Sequence, residues 1–226
     1  MPNELLWIIF ALVNFILFIT CYKLFGRTGI FAWIAIATIL ANIQVMKQVT
    51  LFGIEATLGN IMYGTIFLAT DSLSEKYGKS QANKAVFMGF FILAASIIIM
   101  QIALLFQPNS YDTAQPHLES IFGFYLRVAG ASLVAYLVSQ LLDVYIFHKI
   151  KKVLPSIKWL WIRNNVATIL SQLLDTAIFV SIAFIGTMET SVLVSIFIST
   201  FLIKMMVAAL DTPFVYLIGK IKPLNE

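Results

Sequence analysis

Long apolar runs alternate with short polar segments along the chain, and a membrane-spanning helix needs about 20 mostly apolar residues. Seven runs fit: Leu5–Leu24, Gly29–Val49, Thr57–Leu73, Ala85–Phe106, Phe122–Phe147, Ile162–Ile185 and Ser191–Ile218. The third is the weakest, because Gly53, Gly59, Asn60 and Gly64 interrupt it, and six spans is the alternative count. The runs are continuous, not alternating, which argues against a β-barrel. The fold predicted is all-α: a polytopic membrane protein of about seven helices, one transmembrane domain over residues 1–226. No polar stretch is long enough to fold alone.

Composition agrees. Of 226 residues, 60% are hydrophobic and 12% charged, where soluble domains average about 45–50% and about 25%. Such a chain is neither a soluble globule nor a disordered one. The net charge of +4 would suit nucleic acid, but the basic residues form short clusters between apolar runs, as orientation signals do. Lys23 and Arg27 follow the first run. Lys76, Lys79 and Lys84 follow the third. Lys149, Lys151, Lys152, Lys158 and Arg163 lie between the fifth and sixth, and Lys220 and Lys222 follow the seventh. With seven spans all these fall on one side, while Gln107–Ile121 and Gly186–Thr190 contain no Lys or Arg. The expected orientation is N-terminus outside and C-terminus cytoplasmic; only Lys47, Arg127 and Lys204 lie apart from the clusters. Trp159 and Trp161 fit an interfacial belt. The lone Cys21 excludes an intrachain disulfide. Glu4 and the lack of an early Lys or Arg argue against a signal peptide, so the first run is expected to be a retained helix.

A short internal repeat links the fifth and sixth runs. Ala135–Phe147 (AYLVSQLLDVYIF) and Ala167–Phe179 (ATILSQLLDTAIF) match at eight of thirteen positions at an offset of 32, including Ser139/Ser171, Gln140/Gln172 and Asp143/Asp175. Ridges of period four, Ala131-Ala135-Ser139-Asp143 and Ala167-Ser171-Asp175, let helix backbones approach closely. Asp143 is expected near the cytoplasmic end of its helix and Asp175 near the middle of its own.

Ionisable groups inside a membrane cost several kcal/mol and persist where they pair or face a cavity. Asn60, Gly64, Phe67, Asp71 and Glu75 share one helical face, as do Thr200, Lys204, Ala208 and Asp211. The plain structural reading pairs Lys204 with Asp175, leaves Asp71 and Glu75 at the interface beside Lys76 and Lys79, and lets Arg127 snorkel outward. His117 and His148 read as ordinary loop histidines. The functional reading makes Asn42, Asn60, Asp71, Glu75, Gln140, Asp143, Asn164, Gln172, Asp175, Lys204 and Asp211 the candidate lining of a path for a small polar solute. No enzyme signature is present. Gly78-Lys79-Ser80 resembles the end of a Walker loop, but Leu73 stands where its first glycine belongs, and HExxH, CxxC and GxSxG are missing. An intramembrane enzyme fails for want of a nucleophile–base pair. No metal site and no cofactor are expected.

Several motifs together resemble the queuosine precursor transporter family: Asn42 and Lys47 before Leu51-Phe52-Gly53; Thr70-Asp71-x-x-x-Glu75-x-Tyr77-Gly78-Lys79; Ser139-Gln140-x-x-Asp143; Arg163-Asn164; Ser171-Gln172-x-x-Asp175-Thr176; and Lys204 followed by Thr212-Pro213. The resemblance runs from Asn42 to Pro213; the first helix contributes nothing. It implies import of 7-deazaguanines, the cyano and aminomethyl precursors preQ0 and preQ1, across the bacterial inner membrane for tRNA modification, by a chain grouped with vitamin-uptake membrane proteins. A carboxylate accepts the N–H and amino group of a guanine-like edge together, and Gln or Asn amides share such recognition. Phe and Tyr stack on heterocycles. The partners expected are thus a 7-deazaguanine and the lipid bilayer, no nucleic acid, and a second copy if the chain forms a homodimer. A secondary carrier is the first reading. The alternative is the substrate-binding S-component of an energy-coupling-factor importer, which docks through Ala-x-x-x-Ala in its first helix; here only Ala37 and Ala41, in the second, have that spacing. The topology has a direct check: cysteine labelling of intact cells should modify a probe at Ser110 and spare one at Ser156, and the reverse pattern overturns the orientation.

Overall fold

The structure is a computed structural model that describes residues 2–123, 126–186 and 189–224. It is helical: α1 (Asn3–Gln44), α2 (Gly59–Lys76), α3 (Lys79–Ala103), α4 (Gln115–Phe122), α5 (Leu126–Val153), α6 (Leu160–Phe184) and α7 (Thr190–Lys220). Among the described residues, five helices are long and apolar enough to cross a membrane: α1, α3, α5, α6 and α7.

The first two expected runs are one helical element of 42 residues, α1. Straight, it would be about 63 Å long, twice the hydrocarbon thickness. It is broken at Gly26, whose φ of 57° and ψ of −140° suit a residue without Cβ. The two arms fold back on each other: the rings of Phe18 and Trp33 stand 5.7 Å apart. Gly29 permits the approach, since a Cβ there would lie 2.5 Å from the Cys21 carbonyl oxygen.

A feature the all-helical expectation lacked follows α1. Strands β1 (Gln48–Leu51) and β2 (Ile54–Thr57) form an antiparallel hairpin with Leu51 opposite Ile54. Its two-residue turn has positive φ at Phe52 (53°) and Gly53 (75°), the backbone that matches hairpin twist. The turn is tied to the start of α1: the Phe52 N–H donates to Glu4 Oε1 at 3.1 Å, and its ring meets Trp7 edge-on at 6.3 Å.

The weak third run is a continuous helix, and its weakness has a packing cause. Fifteen of the eighteen residues of α2 are buried, packed against α1, α3, α5 and α7. A helix walled by protein needs no lipid-facing apolar surface, so its hydropathy falls. The lipid-facing burden is carried outside, by exposed Ile16, Leu17, Phe91, Ile98, Ile99, Leu173 and Leu202. The other runs shift by a few residues. The segment 107–121 contains the start of α4, where Asp112 Oδ1 accepts the Ala114 N–H at 2.6 Å. His148 lies within α5, not in a loop, because α5 continues to Val153.

The basic clusters gather at one end. Lys76 Nζ donates to Tyr22 OH at 2.6 Å and to the Ile218 carbonyl at 3.0 Å. The Leu224 N–H reaches the Lys23 carbonyl at 2.9 Å. The hairpin marks the opposite end. Gly26→Ala should lower the stability of the detergent-solubilised protein by about 1–3 kcal/mol, read from thermal unfolding. Gly219→Ala, where a Cβ meets nothing within 4 Å, should not destabilise it.

Candidate functional site

Four helices converge on a polar core. Helix α2 brings Thr70 and Asp71, α5 brings Ser139, Gln140 and Asp143, α6 brings Asn164, Thr168, Ser171, Gln172 and Asp175, and α7 brings Lys204 and Asp211. All are buried. Spacings of three, four and seven put Gln140 with Asp143, Asn164 with Thr168, Ser171 and Asp175, and Lys204 with Asp211 on one face of their helices.

The Ser-Gln-Leu-Leu-Asp runs of α5 and α6 lie antiparallel and exchange bonds. Ser139 Oγ donates to Asp175 Oδ1 at 3.0 Å, and Ser171 Oγ donates to Asp143 Oδ1 at 2.9 Å. The two aspartates then diverge. Asp175 also accepts the Tyr63 hydroxyl on Oδ1 at 2.8 Å and the Lys204 ammonium on Oδ2. Lys204 stands 4.9 Å from the Tyr63 ring centroid, adding a cation–π contact. The pairing expected from depth is therefore present, and Asp175 is fully partnered.

Asp143 has no cation. Its Oδ2 and both oxygens of Asp71 make no hydrogen bond of standard geometry, and the donor within reach of both carboxyls is the Thr168 hydroxyl. Asp71 feels the charges of Asp143 and Asp211 and lies within hydrogen-bonding reach of Asp143. Asp211 is steered by Asn164, whose Nδ2 donates to Oδ1 at 3.0 Å. The three carboxyls are no more than 1% exposed. Among the described residues the ion pairs are Lys151–Glu75, Arg163–Glu75 and Lys204–Asp175, so none neutralises this trio. Around it, Asn164 Oδ1, Gln172 Oε1 and Gln140 Nε2 are also unpartnered. Gln140 is held by its other end, where Oε1 accepts the Thr70 hydroxyl at 3.2 Å. The cluster is rich in acceptors and poor in donors, the complement of a small molecule that presents N–H groups.

One turn beyond Asp71, Glu75 is clamped at the basic end. Its Oε2 takes both Lys151 and Arg163 at 2.9 Å. Arg163 is fully buried, and its Nη1 also donates to the carbonyls of Leu154, Pro155 and Ser156 at 2.7, 3.2 and 3.0 Å. Sequence reading counted Arg163 among the loop cations. The signal that marks it out is its place next to Asn164, four residues inside α6.

Asn42 and Asn60 do not join the cluster. Asn42 bonds the Thr38 carbonyl at 2.8 Å and accepts from Ser132 at 3.4 Å. Asn60 donates to the Thr57 carbonyl at 3.2 Å, at the hairpin end of α2. Tyr63, Thr70 and Thr168 are the site residues that sequence reading missed. Each lies within one turn of a singled-out residue on its own helix, but uncharged hydroxyls carry no hydropathy signal. The side chain of Arg127 lies outside the described residues. Surface clefts between α6 and α7, lined by Val180, Ile185, Leu193 and Phe197, and between α7 and β2, lined by Ile54, Val194 and Ile198, are apolar, hold none of these groups and suit lipid chains.

Removing one partner of a buried pair leaves the other unpaired, at a cost of about 3–5 kcal/mol. Lys204→Met and Asp175→Asn should each lower thermal stability in detergent, and the double variant should recover part of that loss. Simple addition of the two losses would show that the groups are uncoupled.

Comparison with known proteins bears on the family. Residues 57–218 match the family described as "Putative vitamin uptake transporter". A "Probable queuosine precursor transporter" of Bacillus subtilis (strain 168) is 50% identical over 226 residues, covering 100% of this chain and 99% of that protein. A protein of the same description from Haemophilus influenzae is 32% identical over 133 residues, 59% of this chain and 54% of the relative. The "Queuosine precursor transporter" of Escherichia coli (strain K12) is 31% identical over 146 residues, 64% of this chain and 62% of the relative. No solved structure matches the chain. These relatives are named as transporters, not enzymes. With a family match over most of its length and a full-length relative at half identity, the chain belongs to the queuosine precursor transporter family of multi-pass membrane proteins.

Proposed function

We propose that this chain imports 7-deazaguanine precursors of queuosine, preQ0 and preQ1, across the bacterial inner membrane as a secondary carrier. The observation that carries the reading is the buried trio Asp71, Asp143 and Asp211, surrounded by unpartnered amides. A guanine-like edge presents an N–H and an amino group side by side. Asp71, neither of whose oxygens makes a hydrogen bond of standard geometry, is the carboxylate suited to accept the two together. Asn164 and Gln172 offer acceptors, and Gln140 Nε2 offers a donor to a ring carbonyl. The aminomethyl cation of preQ1 would meet the surplus negative charge directly. Asp175 and Lys204 fill each other's valences and support the wall of this site.

The same reading takes the chain through the membrane seven times, counting the two arms of α1 and the sheltered α2 as three crossings. The N-terminus and hairpin are then outside, and the basic end and C-terminus are cytoplasmic. The S-component alternative is disfavoured by one observation: Ala37 and Ala41 are buried, and the backbone at Gly59 lies so close that a Cβ there would sit 2.6 Å from the Ala41 carbonyl oxygen. A coupling subunit could not reach that pair.

Membrane vesicles containing this chain alone, with no ATPase partner, should take up labelled preQ0 or preQ1. Asp71→Asn should reduce that uptake at least about 10-fold, the loss of roughly one charge-assisted hydrogen bond. Uptake that requires an added ATPase would favour the S-component reading, and wild-type uptake in Asp71→Asn would remove that residue from the site.

A further inference from the structure

Resting on the reading that this carboxylate cluster receives the substrate, we propose that the substrate travels with a proton, held by the Asp71–Asp143 carboxyl pair. The two side chains, from α2 and α5, lie within hydrogen-bonding reach of each other. As carboxylates both would be acceptors only, and the Thr168 hydroxyl, the donor within reach of the pair, brings one proton to three oxygens that make no standard hydrogen bond. A single proton turns two repelling acceptors into a donor and an acceptor.

The surroundings leave that role to a proton. From α7 the pair faces Asp211, which adds negative charge and is occupied by Asn164. Lys204, also of α7, is spent on Asp175 of α6. Glu75 on α2 is neutralised by Lys151 of α5 and Arg163 of α6. His148 lies five residues beyond Asp143 toward the basic end of α5. At that same end Lys79 of α3 sits over the Tyr145 ring, and Tyr22 of α1 is taken by Lys76. Tyr63 and Tyr136 lie on the Asp175 side. A metal ion fits less well, because no three His, Cys, Asp or Glu side chains among the described residues converge closely enough to hold one. A second observation points to a missing ligand here: Gln140 Nε2 and Asn164 Oδ1 are unpartnered on fully buried side chains of the same cluster.

The step breaks no covalent bond of the substrate. When the N–H and amino group of a neutral 7-deazaguanine donate to the two oxygens of Asp71, that carboxyl must be ionised. The shared proton then resides on Asp143 Oδ2, and the loaded site holds one substrate and one proton. On the cytoplasmic side the substrate and the Asp143 proton both leave, and the empty site returns outward with neither, so an inward proton gradient drives import.

The test uses proteoliposomes of the full-length chain, labelled preQ0, and a membrane potential held at zero with potassium and valinomycin. With the lumen one pH unit more alkaline, preQ0 should accumulate about 10-fold, as one proton per neutral substrate requires, and a protonophore should abolish this. A sodium gradient should give none. An entrapped pH dye should report lumenal acidification when preQ0 is added. Asp143→Asn should lose the pH-driven accumulation. Exchange of labelled for unlabelled preQ0 at equal pH, without accumulation under the pH gradient, would overturn proton coupling and leave the substrate reading standing. Absence of even that exchange overturns both. Accumulation by Asp143→Asn equal to wild type would overturn the assignment to this pair.

Discussion

A charge in hydrocarbon must be answered by a partner, and this requirement organises the molecule. The polar helix α2 lies inside a wall of apolar helices because its Thr, Ser and Asp side chains have no solvent to turn to. Lys204 is tolerated because Asp175, itself held by Tyr63 and Ser139, pairs with it and the Tyr63 ring lies beside it. Arg163 is fully buried because the segment between α5 and α6 points three carbonyls at it and α2 supplies Glu75. Where no cation answers, at Asp71, Asp143 and Asp211, the molecule carries an unmet electrostatic demand at its centre. That is where a transporter has use for one.

The exchange of serine-to-aspartate bonds between α5 and α6 makes the contrast sharp. Two copies of one short motif place their aspartates in equivalent surroundings as far as the partner helix is concerned. The third and fourth helices break the equivalence. Against Asp175, α7 sets an ammonium and α2 a phenol; against Asp143, α2 sets another acid. One site is closed by structure and the other is left open. The bonds at both positions also lock α5 to α6, so these two helices form one unit against which α2 and α7 are arranged.

Much of this was legible in the residues, and the gaps have physical causes. The apolar runs fall on helices because spanning length is fixed by the bilayer. The Lys204–Asp175 pair was accessible from depth alone, since a lone ammonium there needs an anion. Three features were hidden. The hairpin at Gln48–Thr57 is four residues per strand, too short to show a period, and its turn signal, Phe52-Gly53, lacks the usual Asn or Asp. The packing of α2 could not be read from hydropathy, which falls equally for a sheltered helix and a broken one. Asn42 and Asn60 stand apart from the carboxylate cluster, a separation that an amide in an apolar run does not announce; each donates to a nearby backbone carbonyl, and Asn42 also accepts from Ser132.

The fold-back at Gly26 also bears on how the protein is built. Contacts such as Phe18 with Trp33 span few residues, so the two arms of α1 can pair early in synthesis, at small loop-closure cost. Helix α2, the segment least able to remain in lipid alone, emerges immediately afterwards. The order of the chain thus delivers the most polar segment to a wall already standing. A change that delayed closure at Gly26 would strand α2 during insertion, a fault that quality-control proteases would see and that the stability of the finished fold would not reveal.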